Sequence, residues 1–326
     1  MGAKPMTAAE QPWLPLLLLT ATVTQTLQAA NPFLPRVTTL DMAPASFDDQ
    51  YIGCARDMEH ELAALNQTEF AASRTYAEAW EAASARWREH LSGGGGRPPW
   101  PPGFRDEHAV AVLAYTANGP LHREFNAAVR EAGRSRAYYL RYFPFKTLHF
   151  LLTQALALLG ARQNPQCRRV YRGVAGVRFR TGAEPGGAVR FGHFASSSLH
   201  EEAALQFGQD SFFSIRTCHG ADIRAFSFFP GEEEVLIPPY ERFRVVNAST
   251  GPHGLNHIHL QSLDKTSTYN CEYIKDKRCT SWRCRLNDSG KGSPVLSSPD
   301  LITPTPPASL LSDEVSSLTG LLSRLA

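Results

Sequence analysis

The sequence predicts an α+β fold in which helices come first and strands follow, over residues from about 40 to 275. Residues 54–90 are rich in Ala, Glu, Leu and Arg and contain no Pro or Gly, a composition typical of helix. The loop "SGGGGRPPWPP" at 92–102 ends this stretch. Two further helices are expected over about 121–130 and 145–159, and the second is apolar enough to lie in the core.

After Cys167 the chain consists of short β-branched and aromatic runs separated by Gly, Pro and Asn. They arrive about every ten to fifteen residues, which indicates an antiparallel or mixed sheet rather than a series of βαβ units. The expected strands lie in "RRVYRGVAGVRF", "AVRFGHFASSSL", "SFFSIRTC", "IRAFSFFP", "EEEVLIPPY", "RFRVVNAS" and "HIHLQSL".

The overall charge provides no strong attraction to nucleic acid or to a membrane surface. The 326 residues carry a formal net charge of +2, with 43% apolar and 20% charged residues. This length suits one large domain or two small ones. Because the charge is so nearly balanced, recognition must come from local sites.

The N-terminus has the pattern of a secretory signal peptide. Lys4 precedes the apolar run "WLPLLLLTATV", and the small residues of "LQAAN" suit cleavage near Ala29 or Ala30. A hydrophobic first helix of the fold is the alternative. The expected organisation is a signal peptide at 1–30, a folded domain at 31–285 and a Ser/Pro-rich disordered tail at 286–326.

Six cysteines in a secreted chain favour disulfides, although six cysteines allow fifteen pairings and their spacing does not choose among them. A zinc site is the rival, but no Cys or His pairs have the required spacing, so no metal is expected. Three sequons, at Asn66, Asn247 and Asn287, predict glycosylation.

Polar residues that could carry chemistry lie within three of the predicted strands. Arg172 precedes a glycine in "VYRG", a serine triplet occupies "FASSSL", and three glutamates open "EEEVLIPP". Side-chain alternation along a strand would put Glu232 and Glu234 on one face. It would likewise align Ser196 and Ser198. Two carboxylates side by side against apolar residues make a plausible acid/base or charge-stabilising pair.

Each of these features alone has a plainer explanation. A glutamate run before a strand is usually a solvated edge. An arginine beside a glycine is usually a surface ion pair, and a serine triplet is usually a turn or a helix cap. Their order and spacing together are what favour a functional site.

In that order, these residues resemble the R-S-E-x-E signature of the vertebrate arginine-specific ecto-mono-ADP-ribosyltransferases. The resemblance covers about residues 40–285 and is strongest for the glycosylphosphatidylinositol-anchored, muscle-type branch. It is carried further by "DMAPASFDDQYIGC", "AYTANGPLHREFNAAVREAGRS", "FKTLHFLLTQAL", "FFPGEEEVLIPP" and "TSTYNCEYIKDK".

The resemblance implies N-terminal helices followed by a two-sheet β-sandwich with an NAD cleft, as in clostridial ADP-ribosylating toxins, so that 31–285 would be the catalytic domain. It also implies the disulfides Cys54–Cys271 and Cys167–Cys218. Cys279 and Cys284 are then left over, and whether they pair with each other stays open.

The implied reaction transfers ADP-ribose from NAD, or NADP, to arginine side chains of extracellular proteins, with no permanently bound cofactor. Glu234 would be the main catalytic carboxylate, and Glu232 would select and deprotonate the acceptor arginine. Arg172 would bind the phosphates of NAD, and Ser196 would hold Glu234 and the ribose in register.

Three further positions are expected at the NAD site. Ser198 would support Ser196, and the resemblance alone adds Tyr115 in "AYTAN" and Ser227 in "FSFFP".

Other functions are compatible with the same residues. An NAD glycohydrolase would use the same site with water as the acceptor, and an inactive extracellular binding module would keep only the fold. A retaining glycosidase also uses paired carboxylates. The protein is expected to be secreted or at the cell surface; Asp313, Glu314 and Arg324 interrupt the apolar tail that an anchor signal needs.

Overall fold

The computed structural model describes residues 35–93, 100–163, 167–182, 185–250 and 255–279. The predicted signal peptide, the predicted disordered tail, Cys284 and the sequon at Asn287 lie outside these residues. Of the helices described, none is long and apolar enough to cross a bilayer.

The helices precede most of the strands, so the α+β prediction is confirmed. They are α1 (Ala55–Ala72), α2 (Arg74–Ser92), α3 (Asp106–Thr116), α4 (Leu121–Ala132), α5 (Arg136–Tyr142), α6 (Lys146–Arg162), α7 (Glu201–Leu205) and α8 (Glu272–Arg278).

The single helical stretch predicted for 54–90 is two helices, α1 and α2. The chain turns at Ser73, whose backbone is extended and whose hydroxyl accepts a 3.2 Å hydrogen bond from the Tyr76 amide. Serine is a favoured N-cap residue because its side chain satisfies an amide that has no helical partner. Helix α3 escaped prediction because it is buried on nearly every side and lacks an amphipathic period.

Eight strands of the described chain form one mixed sheet, in the order β4-β9-β10-β6-β2-β5-β8-β7. All neighbours in it are antiparallel except β10 and β6. Strands β1 and β3 form a small parallel sheet. The bounds are β1 (Arg36–Leu40), β2 (Arg168–Val174), β3 (Val177–Thr181), β4 (Ala188–Val189), β5 (Ala195–Ser198), β6 (Ser211–Thr217), β7 (Ala221–Asp222), β8 (Glu234–Ile237), β9 (Glu241–Thr250) and β10 (Asn256–Lys265).

The strand predicted in "IRAFSFFP" is wrong. Arg224–Phe226 form a short 3-10 helix, which a second one follows at Pro230–Glu232. Tertiary packing overrides the local β propensity here, because Phe226 is buried against Trp87 and Phe104 from the helical half.

Two apolar clusters hold the fold together. The larger contains buried residues of the helices and reaches the strand half of the domain through Phe194, Ile223 and Leu236. The smaller lies between the two sheets, where Leu40 and Val177 of the small sheet join strand residues of the large one. The site described below lies where β8 contributes to both clusters and the neighbouring β5 contributes Ala195 to the smaller one.

Long-range links tie the first described residues to the last. The disulfides Cys54–Cys271 and Cys167–Cys218, the two pairings that the resemblance implies, are both present. The first joins residues 217 positions apart, so it closes almost the whole domain.

A buried ion pair reinforces this closure. Arg190 Nη1 donates a 2.6 Å hydrogen bond to Asp48, and neither side chain is more than 4% exposed. Asp48 also accepts hydrogen bonds from the amides of Thr268 and Tyr269. The guanidinium donates in addition to the carbonyls of Met42 and Ala43.

Removing Arg190 should therefore destabilise the whole domain. We expect Arg190→Ala to lower the free energy of unfolding by about 3–5 kcal/mol, because Asp48 would remain as a buried charge without its partner. Urea denaturation measures this. Arg74→Ala, which breaks an exposed ion pair with Glu78, is the matched control and should change stability little. Equal losses in both variants would contradict this assignment.

Candidate active site

Three neighbouring strands bring the predicted site residues together. In the register, Ser198 of β5 lies opposite Tyr171 of β2 on one side and opposite Glu234 of β8 on the other. The Arg172 guanidinium reaches across from β2 and donates a 2.6 Å hydrogen bond to the Ser196 carbonyl oxygen.

The glycine of "VYRG" is Gly173, and close packing of the backbone requires a glycine at this position. A Cβ atom at this position would lie 2.1 Å from the Ala204 carbonyl oxygen and 2.5 Å from that of Gly208. Glycine therefore lets α7 and the segment after it pack directly on β2, next to Arg172.

Glu234 is a buried carboxylate of this cluster, and its pKa lies well above the usual value. It is the first residue of β8 and is only 8% exposed. Burial, the largest cause, and the negative charge of Glu232 raise the pKa of Glu234, while the Ser196 hydroxyl and the positive charge of Arg172 lower it. The net result is a pKa of about 7. Proton uptake by Glu234 therefore occurs near neutral pH.

The strand alternation predicted for Glu232 and Glu234 is wrong. Glu232 ends the 3-10 helix at Pro230–Glu232, and Glu233 has a left-handed backbone with φ of +45°. The strand begins only at Glu234 because the two preceding amides donate within the turn, to the carbonyl oxygens of Phe229 and Pro230, rather than to a neighbouring strand. The relative position of the Glu232 and Glu234 carboxylates is therefore set by this turn and not by side-chain alternation along a strand.

Ser198 holds that turn in place. Its hydroxyl donates a 2.7 Å hydrogen bond to the Glu232 carbonyl oxygen and accepts one of 3.0 Å from the His200 amide. The Ser197 hydroxyl does not take part in this contact; it donates to the Val235 carbonyl oxygen. Ser196 is the member of the triplet whose hydroxyl lies beside Glu234.

Tyr115 closes the helical side of the cluster. Its hydroxyl donates a 2.9 Å hydrogen bond to the Phe194 carbonyl oxygen and lies 3.5 Å from the Ser196 hydroxyl. Burial raises the pKa of Tyr115 to about 12, so the phenol stays neutral and keeps the hydrogen that it donates to the Phe194 carbonyl oxygen.

Asn126 belongs to this network, although the sequence analysis did not identify it. Its side-chain nitrogen donates to both the Tyr115 hydroxyl and the Phe194 carbonyl oxygen, each at 3.0 Å. An asparagine on an amphipathic helix carries no signal of this role, because only the packing of α4 against β5 makes it visible.

Ser227 lies at the end of the first 3-10 helix, where its hydroxyl accepts a 3.0 Å hydrogen bond from the Phe229 amide. The next residue, Phe228, donates its amide to the Thr116 hydroxyl at 3.2 Å. The segments that carry Tyr115 and Ser227 therefore adjoin, as a shared binding site requires.

His193 is a second residue that the sequence analysis missed. It is buried just before β5, and one ring nitrogen lies 2.7 Å from the Phe191 carbonyl oxygen. Burial lowers its pKa well below the usual value, and the positive charges of Arg130 and Arg172 lower it further. The ring therefore stays neutral.

Two of the three predicted glycosylation sites lie within the described residues. Asn247 is exposed on β9, whereas Asn66 is half-buried and accepts a hydrogen bond from the Tyr76 hydroxyl. Within the described residues, no three His, Cys, Asp or Glu side chains are grouped in a way that could hold a metal ion.

The chain resembles known proteins along most of its length. The family model described as NAD:arginine ADP-ribosyltransferase matches residues 40–268. The GPI-linked NAD(P)(+)–arginine ADP-ribosyltransferase 1 of mouse is 61% identical over 259 residues, which span 78% of this chain and 79% of the mouse protein. The human protein of the same description is 60% identical over 266 residues, which span 79% and 81%.

A solved structure gives the same result. The eukaryotic mono-ADP-ribosyltransferase ART2.2 is 40% identical, covers 72% of this chain and 99% of its own, and has a TM-score of 0.62. Variants of that enzyme have been solved with NADH and with NAD. The resemblance predicted from the sequence is thereby confirmed: the chain belongs to the NAD:arginine ADP-ribosyltransferase family.

Proposed function

We propose that this protein transfers ADP-ribose from NAD to arginine side chains of other proteins and releases nicotinamide. The observation that carries the proposal is the buried Glu234 carboxyl beside Ser196 and Arg172, on three neighbouring strands of a chain of this family. The relatives act on NAD(P), so NADP is a second candidate co-substrate.

Glu234 acts on the bond that breaks. When the bond between nicotinamide and C1 of the ribose breaks, its electron pair leaves with nicotinamide and positive charge develops on the ribose. An ionised carboxylate in a buried site stabilises such an oxocarbenium-like transition state strongly, because little water screens it. Ser196 orients Glu234 through its hydroxyl.

Glu232 acts on the acceptor. An arginine guanidinium is protonated in water and is not a nucleophile in that form. Glu232 binds the guanidinium and accepts its proton as the new bond from nitrogen to C1 of the ribose forms. Its position next to Glu234 is supported by the rise in the pKa of Glu234 that its charge causes.

Arg172 and Tyr115 hold the co-substrate. One guanidinium nitrogen of Arg172 is fixed by the Ser196 carbonyl oxygen, and the remaining donors make no hydrogen bond to other described residues. They are suited to the phosphate oxygens of NAD. Tyr115, with Asn126 behind it, shapes the wall next to the ribose, while Ser198 and Ser227 fix the two segments that border the cleft.

The acceptors are arginine-containing proteins in the secretory pathway or at the cell surface. Two disulfides require an oxidising compartment, and the mouse and human relatives are GPI-linked. We extend this location, as secreted or surface-bound, to the present chain.

Glu234→Gln tests the catalytic assignment. We expect kcat for nicotinamide release to fall about 10²–10³-fold, because the neutral amide does not stabilise the developing cation, while KM for NAD changes little. The measurement is radiolabelled NAD turnover by the purified protein, with and without agmatine. Glu202→Gln, on the exposed side of α7, is the control. A variant that keeps wild-type kcat would overturn the assignment.

Glu232→Gln tests the acceptor assignment. The variant should lose about 10²–10⁴-fold in transfer to agmatine, because it cannot take the guanidinium proton, but it should still hydrolyse NAD. Chromatography that separates ADP-ribosyl-agmatine from free ADP-ribose gives both rates in one experiment. An equal fall in both products would refute the division between the two glutamates. Free ADP-ribose as the only product of the wild type would instead make the protein an NAD glycohydrolase.

The pKa of Glu234 sets the pH dependence. Glu234 must be ionised to act, and its pKa in the free protein is about 7, so kcat/KM for NAD should fall about tenfold per pH unit below 7 and level off above. In the complex, the positively charged nicotinamide ring of bound NAD favours the carboxylate, so the kcat profile should have a lower midpoint. Initial rates from pH 5 to 9 measure both profiles. A kcat/KM that does not change between pH 6 and 8 would contradict this role.

A further inference from the structure

Glu233 occupies a position between the two site glutamates that the mechanism does not use. Its φ and ψ of +45° and +51° are left-handed, a conformation that non-glycine residues adopt only when their surroundings enforce it. Strain of this kind persists only where contacts hold the residue in place, and the side chain of Glu233 makes such contacts.

The side chain of Glu233 bridges two separate elements. The same carboxylate oxygen, Oε2, lies 3.1 Å from His200 Nε2 and 3.1 Å from Arg224 Nη1. His200 lies in the corner between β5 and α7, and Arg224 begins the short helix that follows β7. Arg224 is itself fixed by Asp222, which accepts hydrogen bonds from Nε and Nη2.

The backbone around Glu233 is also held in place, by hydrogen bonds to its carbonyl oxygens. The Glu233 carbonyl oxygen accepts a 3.2 Å hydrogen bond from the Leu199 amide, and the preceding carbonyl, that of Glu232, accepts one from Ser198. The φ and ψ angles of Glu233 therefore determine the direction of Glu232 relative to Glu234. Any change in these angles moves one carboxylate with respect to the other.

The polar contacts of Glu233 contribute little to the stability of the fold. The three side chains, Glu233, His200 and Arg224, are 33%, 58% and 42% exposed, and solvent screens such contacts. Their effect is on geometry. Catalysis is sensitive to displacements of about an ångström, which can cost roughly a hundredfold in rate without unfolding anything.

We propose that Glu233 is a positioning residue that, through its ion pair to Arg224 and its polar contact with His200, holds Glu232 at the angle to Glu234 that transfer requires. Glu233 thereby sets the ratio of ADP-ribosyl transfer to NAD hydrolysis. This inference rests on the proposed function, because it presupposes an arginine acceptor bound by Glu232.

Three variants separate the polar contacts from the backbone strain. Glu233→Ala removes the polar contacts and keeps a Cβ in the left-handed region, Glu233→Gly removes both the polar contacts and the strain, and Arg224→Ala removes one partner. Glu78→Ala, which breaks an exposed ion pair on α2, is the matched control. Each purified protein is given labelled NAD and increasing agmatine, and both products are measured together with Tm.

All three variants should retain Tm within a few degrees and hydrolyse NAD at near the wild-type rate, while kcat/KM for agmatine falls by roughly ten- to a hundredfold. Glu233→Gly should lose transfer as Glu233→Ala does, because the missing polar contacts rather than the strain are the cause. Glu78→Ala should keep the wild-type ratio of products.

Three results would overturn the inference. One is a Glu233→Gly variant with the wild-type product ratio, and another is an equal loss of transfer and hydrolysis in the Glu233 variants. In either case a wild type that makes ADP-ribosyl-agmatine leaves the proposed function intact. The third, a wild type that makes no ADP-ribosyl-agmatine, would overturn the proposed function as well.

Discussion

The site depends on one strand, β5, that pairs with β2 on one side and with β8 on the other. Arg172, Ser196 and Glu234 come from three strands that are far apart in sequence, and only this pairing places them side by side. The arrangement is held from behind by Tyr115 and Asn126, which both donate to the Phe194 carbonyl oxygen just before β5 begins. Movement of β5 would therefore disturb every part of the site at once.

Buried carboxylates in this protein fall into two groups. Glu241 accepts hydrogen bonds from Thr217, Ser262 and the Cys218 amide, and Glu69 accepts two from the amides at the start of α6. These carboxylates are satisfied by groups of the protein and serve the fold. Glu234 is buried to a similar degree, yet the pKa of its carboxyl is lowered only by Ser196 and the charge of Arg172. A carboxylate left under-satisfied by the protein is suited to a cation that arrives with the substrate.

The helical half has an indirect role in this chemistry. The large helical cluster includes Phe194, just before β5, and Leu236, two residues after Glu234 on β8. The links between Asp48, Arg190 and the backbone at Thr268, together with the disulfide Cys54–Cys271, join the early part of the described chain to its last part. Because a preorganised site needs a rigid support, stability and catalysis depend here on the same contacts.

The sequence by itself determined that helices precede most strands and that α6 is a buried helix, because composition and periodicity are local properties. Its motif order, through the resemblance to a family, predicted Arg172, Ser196 and Glu234 as site residues. Only the tertiary structure decided that "IRAFSFFP" is not a strand, since packing of Phe226 against aromatic residues of the helical half outweighs local propensity. It alone also revealed Asn126 and the left-handed turn at Glu233, which replaces the strand alternation predicted for Glu232. These features depend on contacts between residues distant in sequence, which no local pattern encodes.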